Sequence, residues 1–127
     1  MKIDHVAIYT SDLEGMRRFF ETYFGAGAGE MYHNPRTGLC SYFLTFDSGA
    51  RLEIMSRPEV LRDMRQHYGM GLTHISFSVG SKEQVDAMTR RLTADGYTLL
   101  DGPRTTGDGY YECAIAGPEE LYIEIVE

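Results

Sequence analysis

Ile3-Asp4-His5-Val6-Ala7-Ile8 and Leu72-Thr73-His74-Ile75-Ser76-Phe77 are two versions of one stretch, with a polar residue, a histidine and then an apolar alternation, and their histidines lie 69 residues apart. Self-similarity at so long a spacing sets the architecture, so it is read before any element is assigned. The likeness continues outward. Each stretch runs into a capping-box pattern, Ser11-x-x-Glu14 in one copy and Ser81-x-x-Gln84 in the other. Behind the caps, Leu13, Met16, Phe20, Tyr23 and Phe24, and then Val85, Met88 and Leu92, step by three and four as one face of a helix does. Gly25 and Gly96 follow as helix stops. Pro35-Arg36-Thr37 is echoed by Pro103-Arg104-Thr105, and Arg51-Leu52-Glu53-Ile54 by Tyr122-Ile123-Glu124-Ile125, at offsets of 68 and 71. An order kept with so little drift is that of a duplicated module with small loop insertions.

After its helix each module alternates strand-like segments with turn signals. In the first, residues 30–32, 40–46 and 51–55 are separated by Asn34-Pro35 and Asp47-Ser48-Gly49; in the second, residues 98–100, 110–115 and 121–126 are separated by Gly107-Asp108-Gly109 and Gly117-Pro118. Each module therefore reads βαβββ, and the fold class is α+β. Modules 1–56 and 72–127 are joined by a connector, 57–71, in which Val60, Leu61 and Met64 predict a short helix with Arg62, Asp63 and Arg65 on a solvated face. Gly25-Ala26-Gly27-Ala28-Gly29 follows a helix rather than a strand and lacks the G-x-G-x-x-G spacing, so it predicts a flexible turn and not a phosphate loop. No H-E-x-x-H run and no nucleophile elbow occurs.

A chain of 127 residues, 43% hydrophobic and 24% charged, is of single-domain size, and its apolar content is too high for disorder. The formal charge of -7 repels a phosphate backbone, which argues against nucleic acid as a partner. No apolar run approaches the roughly 20 residues of a spanning helix, and Met1 to Tyr9 lacks the apolar core of a signal peptide, so a cytoplasmic protein without membrane attachment is expected. Cys40 and Cys113 are the only cysteines, stand in separate segments without C-x-x-C spacing, and read as thiols rather than a disulfide.

Side chains alternate between the faces of a strand, so phase tells which residues share a face. Val6 and Ile8 set the apolar phase of the first strand, with His5, Ala7 and Tyr9 opposite. Leu52 and Ile54 oppose Arg51, Glu53 and Met55; Ile75 and Phe77 oppose His74, Ser76 and Ser78; Ile123 and Ile125 oppose Tyr122, Glu124 and Val126. The amphipathic helix covers the more apolar face of each sheet. The other face then holds His5, Glu53, His74 and Glu124. Two imidazoles and two carboxylates, with room for water, suit a six-coordinate first-row divalent ion rather than a closed structural zinc site. Single exposed His or Glu residues are mostly solvated side chains without function, but solvation does not require one type at the matching position and phase of both modules. His33 and His67 have no such partner and read as loop histidines.

This arrangement resembles the vicinal oxygen chelate superfamily, which unites glyoxalases, bleomycin-resistance proteins and extradiol dioxygenases. The resemblance runs over essentially the whole chain. It implies a single domain, 1–127, in which the two βαβββ modules form a half-open, barrel-like mixed sheet with helices on the outer face. It also implies a divalent metal on the concave face and a homodimer; open sheet edges that need covering point to the homodimer as well. The order His5, Glu53, His74, Glu124 in a short chain is similar to bacterial glyoxalase I, the lactoylglutathione lyase. Dioxygenases and fosfomycin-modifying relatives lack the first carboxylate, and methylmalonyl-CoA epimerases carry Gln there, so Glu53 discriminates.

The resemblance implies isomerisation of the hemithioacetal of a 2-oxoaldehyde, such as methylglyoxal, and a thiol into a 2-hydroxyacyl thioester. Glu124 would take the proton from C1 and Glu53 would assist its return at C2. Nickel or cobalt follows from the family analogy, while the donor set also suits zinc, manganese or iron. Glutathione-using relatives carry an Arg four residues after the first metal His, where this chain has Tyr9; Arg36, Arg51, Arg57 and Arg104 are candidates to grip a thiol's carboxylate instead. Tyr9, Arg51, Ser76 and Tyr122, on the site phase, are candidate substrate contacts. Two alternatives stand beside this reading. One is a non-haem metal dioxygenase or another lyase or epimerase of the superfamily. The other is a dimeric protein binding a hydrophobic drug or metabolite against Tyr9, Tyr42 and Tyr122.

Overall fold

Strand β1 (His5–Tyr9) is followed by helix α1 (Leu13–Phe24), β2 (Gly27–Ala28), β3 (Tyr32–Asn34), β4 (Leu39–Thr45) and β5 (Arg51–Ser56). The computed structural model describes residues 1–47, 49–60 and 70–127, so most of the connector, with the helix expected around Leu61 and Met64 and with His67, lies outside the described residues. Two compact units divide the chain, Met1–Met64 and Arg65–Glu127. Among the described residues no helix is long and apolar enough to cross a membrane.

In the first unit β1 runs parallel to β5, β5 antiparallel to β4, and both β2 and β3 pair antiparallel with β4. Ala28 stands opposite Leu44 and Tyr32 opposite Ser41, so β2 and β3 are one edge strand interrupted by a bulge. The expected βαβββ order holds with its second strand split. Gly27 and Ala28 thus belong to a strand rather than a turn, and His33 sits in β3 rather than a loop.

Helix α1 begins one residue later than the capping box places it. Asp12, not Ser11, is the cap, its carboxylate accepting the Gly15 N–H at 2.8 Å. An ionised oxygen serves the positive end of a helix better than a hydroxyl does. Glu14 does not fold back on the cap; it accepts from Arg17 at 3.0 Å and from the Tyr42 hydroxyl at 2.7 Å. At the far end Gly25 takes the left-handed conformation, φ 63°, and the Ala26 N–H closes on the Phe20 carbonyl.

The second unit repeats the order with β6 (Ile75–Ser78), α2 (Lys82–Ala94), β7 (Thr98–Thr105), β8 (Tyr111–Ala116), a single 3-10 turn (Pro118–Glu120) and β9 (Tyr122–Val126). Its strands lie in the order β6, β9, β8, β7, with β6 parallel to β9, which is the arrangement of β1, β5, β4 and the split edge strand. The duplication read in the sequence is therefore a duplication of topology. Ser81 caps α2 as expected, accepting from the Gln84 N–H at 3.3 Å. Strand β7 extends well past the predicted 98–100 and tolerates Pro103 because it is an edge with two register shifts. A Cβ at Gly102, φ 75°, would stand 2.5 Å from the Glu112 carbonyl oxygen, so the residue facing β8 there must be glycine.

Each sheet buries the phase the alternation assigns. Met16, Phe19 and Phe20 of α1 close on Leu44, Leu52 and Ile54, while Val85 and Leu92 of α2 close on Cys113, Ile115, Ile123 and Ile125. Each such side chain contributes about 1.5–3 kcal/mol by leaving water. Both cysteines are free; Cys113 is buried beside the Thr89 hydroxyl, which donates to its sulfur at 3.0 Å, and Cys40 is half-buried.

Candidate functional site

Ala7 stands opposite Glu53 where β1 and β5 run parallel, and His5, two residues earlier, shares their face. The His5 Nε2 atom lies 4.0 Å from Glu53 Oε2. On the neighbouring strand Phe43 pairs with Glu53 and turns its ring edge-on to the His5 imidazole, 5.3 Å between centroids. The other imidazole nitrogen is held from behind. His5 Nδ1 is 3.0 Å from Asp4 Oδ2, an oxygen that Arg51 Nη2 also binds at 2.6 Å, while the Arg51 guanidinium lies 4.3 Å over Phe43. The bonds from His5 and Arg51 draw the Asp4 carboxyl down to about 2.

The second unit builds the same pair. Ser76 stands opposite Glu124 in the parallel β6–β9 ladder, and His74 immediately precedes β6. His74 Nε2 is 3.2 Å from Glu124 Oε2, and His74 Nδ1 is 3.0 Å from the Thr73 hydroxyl. Tyr122 lies beside the imidazole, 5.9 Å between ring centroids. Both carboxylates are recessed, Glu53 at 16% and Glu124 at 20% side-chain exposure, and both histidines stay half-exposed.

The same face of the second unit is rich in carboxylates. Glu112 on β8 faces it, since Ala114 pairs with Glu124 two residues along. Partial burial pushes the Glu112 carboxyl up, and the Glu124 charge adds to the shift. Tyr122 is raised by burial and then by the same carboxylate. A cation on this face would relieve both.

The donor set fits a divalent ion. Two donors roughly 2.1 Å from one ion and at right angles to each other stand about 3 Å apart. The His74–Glu124 pair is already close to that spacing, and the His5–Glu53 pair needs a small closure. Among the described residues no group of three or more His, Cys, Asp or Glu side chains stands close enough to hold a metal ion; each unit by itself brings one imidazole near one carboxylate.

The remaining predicted contacts divide. Tyr9 is exposed near Arg57, while Ser76 is exposed on the face of Glu124. Tyr42, expected as an aromatic wall, is on the helix side: it pairs with Ile54, and its hydroxyl donates to Glu14 on α1. The aromatic residue on the site face is its neighbour Phe43. Of the four candidate arginines, Arg51 is paired with Asp4, Arg57 with Glu59 and Arg104 with Asp101, while Arg36 has no ion-pair partner among the described residues. A separate surface depression of about 440 Å³, lined by Asp12, Glu14, Met31, Cys40 and Arg57 among others, includes none of the four ligand candidates.

The family model described as the Glyoxalase/Bleomycin resistance protein/Dioxygenase superfamily matches residues 2–125. The chain is 30% identical to the uncharacterized protein YqjT of Bacillus subtilis (strain 168), over 96% of its own length and 95% of that protein. Among solved structures, a glyoxalase family protein from Bacillus cereus superposes with a TM-score of 0.84 at 22% identity, covering 100% of this chain and 93% of that one. The trypanothione-dependent glyoxalase I of Leishmania major gives 0.78 at 17% identity, covering 100% and 86%. These two likenesses are of fold.

Proposed function

The chain belongs to the Glyoxalase/Bleomycin resistance protein/Dioxygenase superfamily, and on that premise we propose that it is a metal-dependent glyoxalase I-like isomerase. It converts the hemithioacetal of a 2-oxoaldehyde and a thiol into a 2-hydroxyacyl thioester. The observation that supports this reading is the repetition of a His–Glu pair, His5 Nε2 with Glu53 at 4.0 Å and His74 Nε2 with Glu124 at 3.2 Å, on the sheet face away from each unit's helix. As ligands of a divalent ion we propose His5, Glu53, His74 and Glu124, with nickel or cobalt the preferred occupants.

When bound, the ion supplies electrostatic stabilisation of the charge that develops on the substrate oxygens, without a change of oxidation state. The protein's own groups move the proton. Glu124, recessed beside Tyr122, accepts it from C1, and Glu53 assists its delivery at C2. Phe43 and Tyr122 present apolar ring surface beside the two imidazoles and limit water at the reacting carbons. Because Arg51, Arg57 and Arg104 already face carboxylates, Arg36 is the one of the four candidates left to meet a thiol's carboxylate.

The test is an assay of the purified protein, stripped of metal and then reconstituted with nickel, cobalt or zinc, on methylglyoxal with glutathione. Thioester is expected to form at roughly 1 to 1,000 per second with the preferred ion. Absence of thioester with every ion, repeated with a non-glutathione thiol, would remove the activity. We further propose a homodimer, since both sheets end in open edges, β1 and the split β2/β3 in one, β6 and β7 in the other. Sedimentation equilibrium is expected to give twice the chain mass, and a concentration-independent monomer would refute it.

A further inference from the structure

His33 and Cys40 take no part in the site described above, and Met31 is 47% exposed although its side chain is large and apolar. The register brings the three to one face. His33 stands directly opposite Cys40 in the β3–β4 ladder. Residues so paired point to the same side of an antiparallel sheet, with Cβ atoms about 4.5–5.5 Å apart. Cys40 shares the phase of Tyr42 and Leu44, the side on which α1 packs, so this face is the reverse of the one that carries Phe43 and Glu53. Met31 and Cys40 both line the depression of about 440 Å³ beside the start of α1. Met31, two residues before His33, takes the diagonal position to Cys40, a separation of about 7–8 Å that a long, unbranched side chain spans.

The donors assembled here are a thiol, a thioether and an imidazole. Cys40 is a free, half-buried cysteine, and His33 is exposed, so both are within reach of an ion from solvent. Their chemistry differs from that of the His–Glu pairs. Carboxylate oxygens and imidazoles suit divalent first-row ions, whereas thiolate and thioether sulfur select soft ions such as Cu(I), with imidazole an acceptable companion. The charges around the depression do not exclude a cation: Asp12 and Glu14 line it, and the guanidinium that lines it, Arg57, is paired with Glu59 at 2.8 Å.

We propose that Cys40, His33 and Met31 form a soft-metal site for Cu(I) on the helix side of the first sheet. Binding releases the Cys40 thiol proton to solvent, and the thiolate, the imidazole and the thioether close on the ion without a change of its oxidation state. The cross-strand pair supplies the two stronger donors. Met31 supplies the third and sets the preference, because a neutral sulfur serves Cu(I) far better than it serves nickel, cobalt or zinc. All three ligands belong to one unit, and the site is independent of the isomerase reading above.

Anaerobic titration of the reduced, metal-free protein with Cu(I) held by the coloured chelator bicinchoninate reads the site as copper withdrawn from the chelator. A single ion per chain is expected to be withdrawn. Cys40→Ser is expected to abolish this. His33→Gln and Met31→Leu, both at exposed positions, are each expected to weaken it by at least the roughly tenfold that loss of even an outer partner of a metal site costs. Cys113→Ala, which removes the thiol buried under α2, and Glu53→Gln are expected to leave the affinity for Cu(I) unchanged. X-ray absorption at the copper edge is expected to show sulfur and nitrogen neighbours, with the nitrogen lost in His33→Gln. Full binding by a folded Cys40→Ser protein, or an affinity unchanged in either His33→Gln or Met31→Leu, would overturn the proposal. If circular dichroism shows that Cys40→Ser has lost its fold, the two exposed substitutions decide.

Discussion

Glu124→Gln is expected to lower kcat for the hemithioacetal of methylglyoxal and glutathione by roughly 10²- to 10⁴-fold, the usual worth of a positioned general base. Glutamine keeps the length of the side chain and an oxygen within reach of the ion, but it cannot accept the C1 proton. Because Glu124 lies among Glu112 and Asp101 on a carboxylate-rich face, removing its charge relieves repulsion, so the fold is expected to keep its thermal midpoint. The loss should therefore appear in kcat and not in the amount of folded protein. Elemental analysis of the same preparation separates the two parts assigned to this residue: an ion retained with activity lost identifies the base, and an ion lost together with activity identifies chiefly a ligand. A variant that turns over at more than a tenth of the wild-type rate would show that another group takes the proton. Glu53→Gln provides the comparison, since its carboxylate is the one proposed to act at C2.

Much of this site is legible in the sequence because alternation is a strong signal wherever one face is clearly apolar. Leu52 and Ile54 are buried, and Glu53 between them faces the other way; Ile123, Glu124 and Ile125 repeat the pattern. Where the alternation breaks, reading fails. Cys40 to Leu44 is apolar on both phases apart from Ser41, so nothing in it distinguishes Tyr42 from Phe43, and only the register, Tyr42 with Ile54 and Phe43 with Glu53, separates helix side from site side. Glu112 was accessible by a weaker form of the same argument, since Cys113 and Ile115 are the bulky apolar residues of β8 and Glu112 lies on the opposite phase, although Ala114 and Ala116 on that phase are buried too. Asp4 and Thr73 were not. Adjacent residues in a strand point to opposite faces, but both lie just outside their strands, where the backbone lets neighbouring side chains meet. Ser11 and Asp12 compete for one cap, and the choice depends on which oxygen reaches the Gly15 N–H. The split of the first unit's edge strand escapes the sequence because glycines at 25, 27 and 29 signal a turn as readily as a bulged edge.

Phe20→Ala is expected to cost about 3–5 kcal/mol, the range for deleting a fully buried aromatic ring. Phe20 is wholly buried in the first unit, with ring centroids of Phe19, Phe24 and Phe46 at 5.2, 5.6 and 6.5 Å. That crowding leaves little room for the surroundings to collapse into the space vacated, so the cavity term adds to the lost transfer energy. Against a typical total of about 5–15 kcal/mol, such a loss is roughly a fifth or more of the stability. Urea unfolding should show the midpoint falling with the slope unchanged, whereas a lower slope would mean that the native or unfolded ensemble had changed its compactness. Phe20→Leu, which refills much of the volume, is expected to recover most of the loss, leaving about 1.5 kcal/mol or less. The effect extends to the site through one physical link. Helix α1 packs on β4 and β5, the strands that hold Phe43 and Glu53, so a loosened helix allows Glu53 to move relative to His5. In a Phe20→Ala protein kept folded at low temperature, activity is therefore expected to fall through weaker metal retention, measured as the ion concentration needed for half-maximal turnover. A stability change below about 1 kcal/mol would mean that α1 does not clamp this sheet.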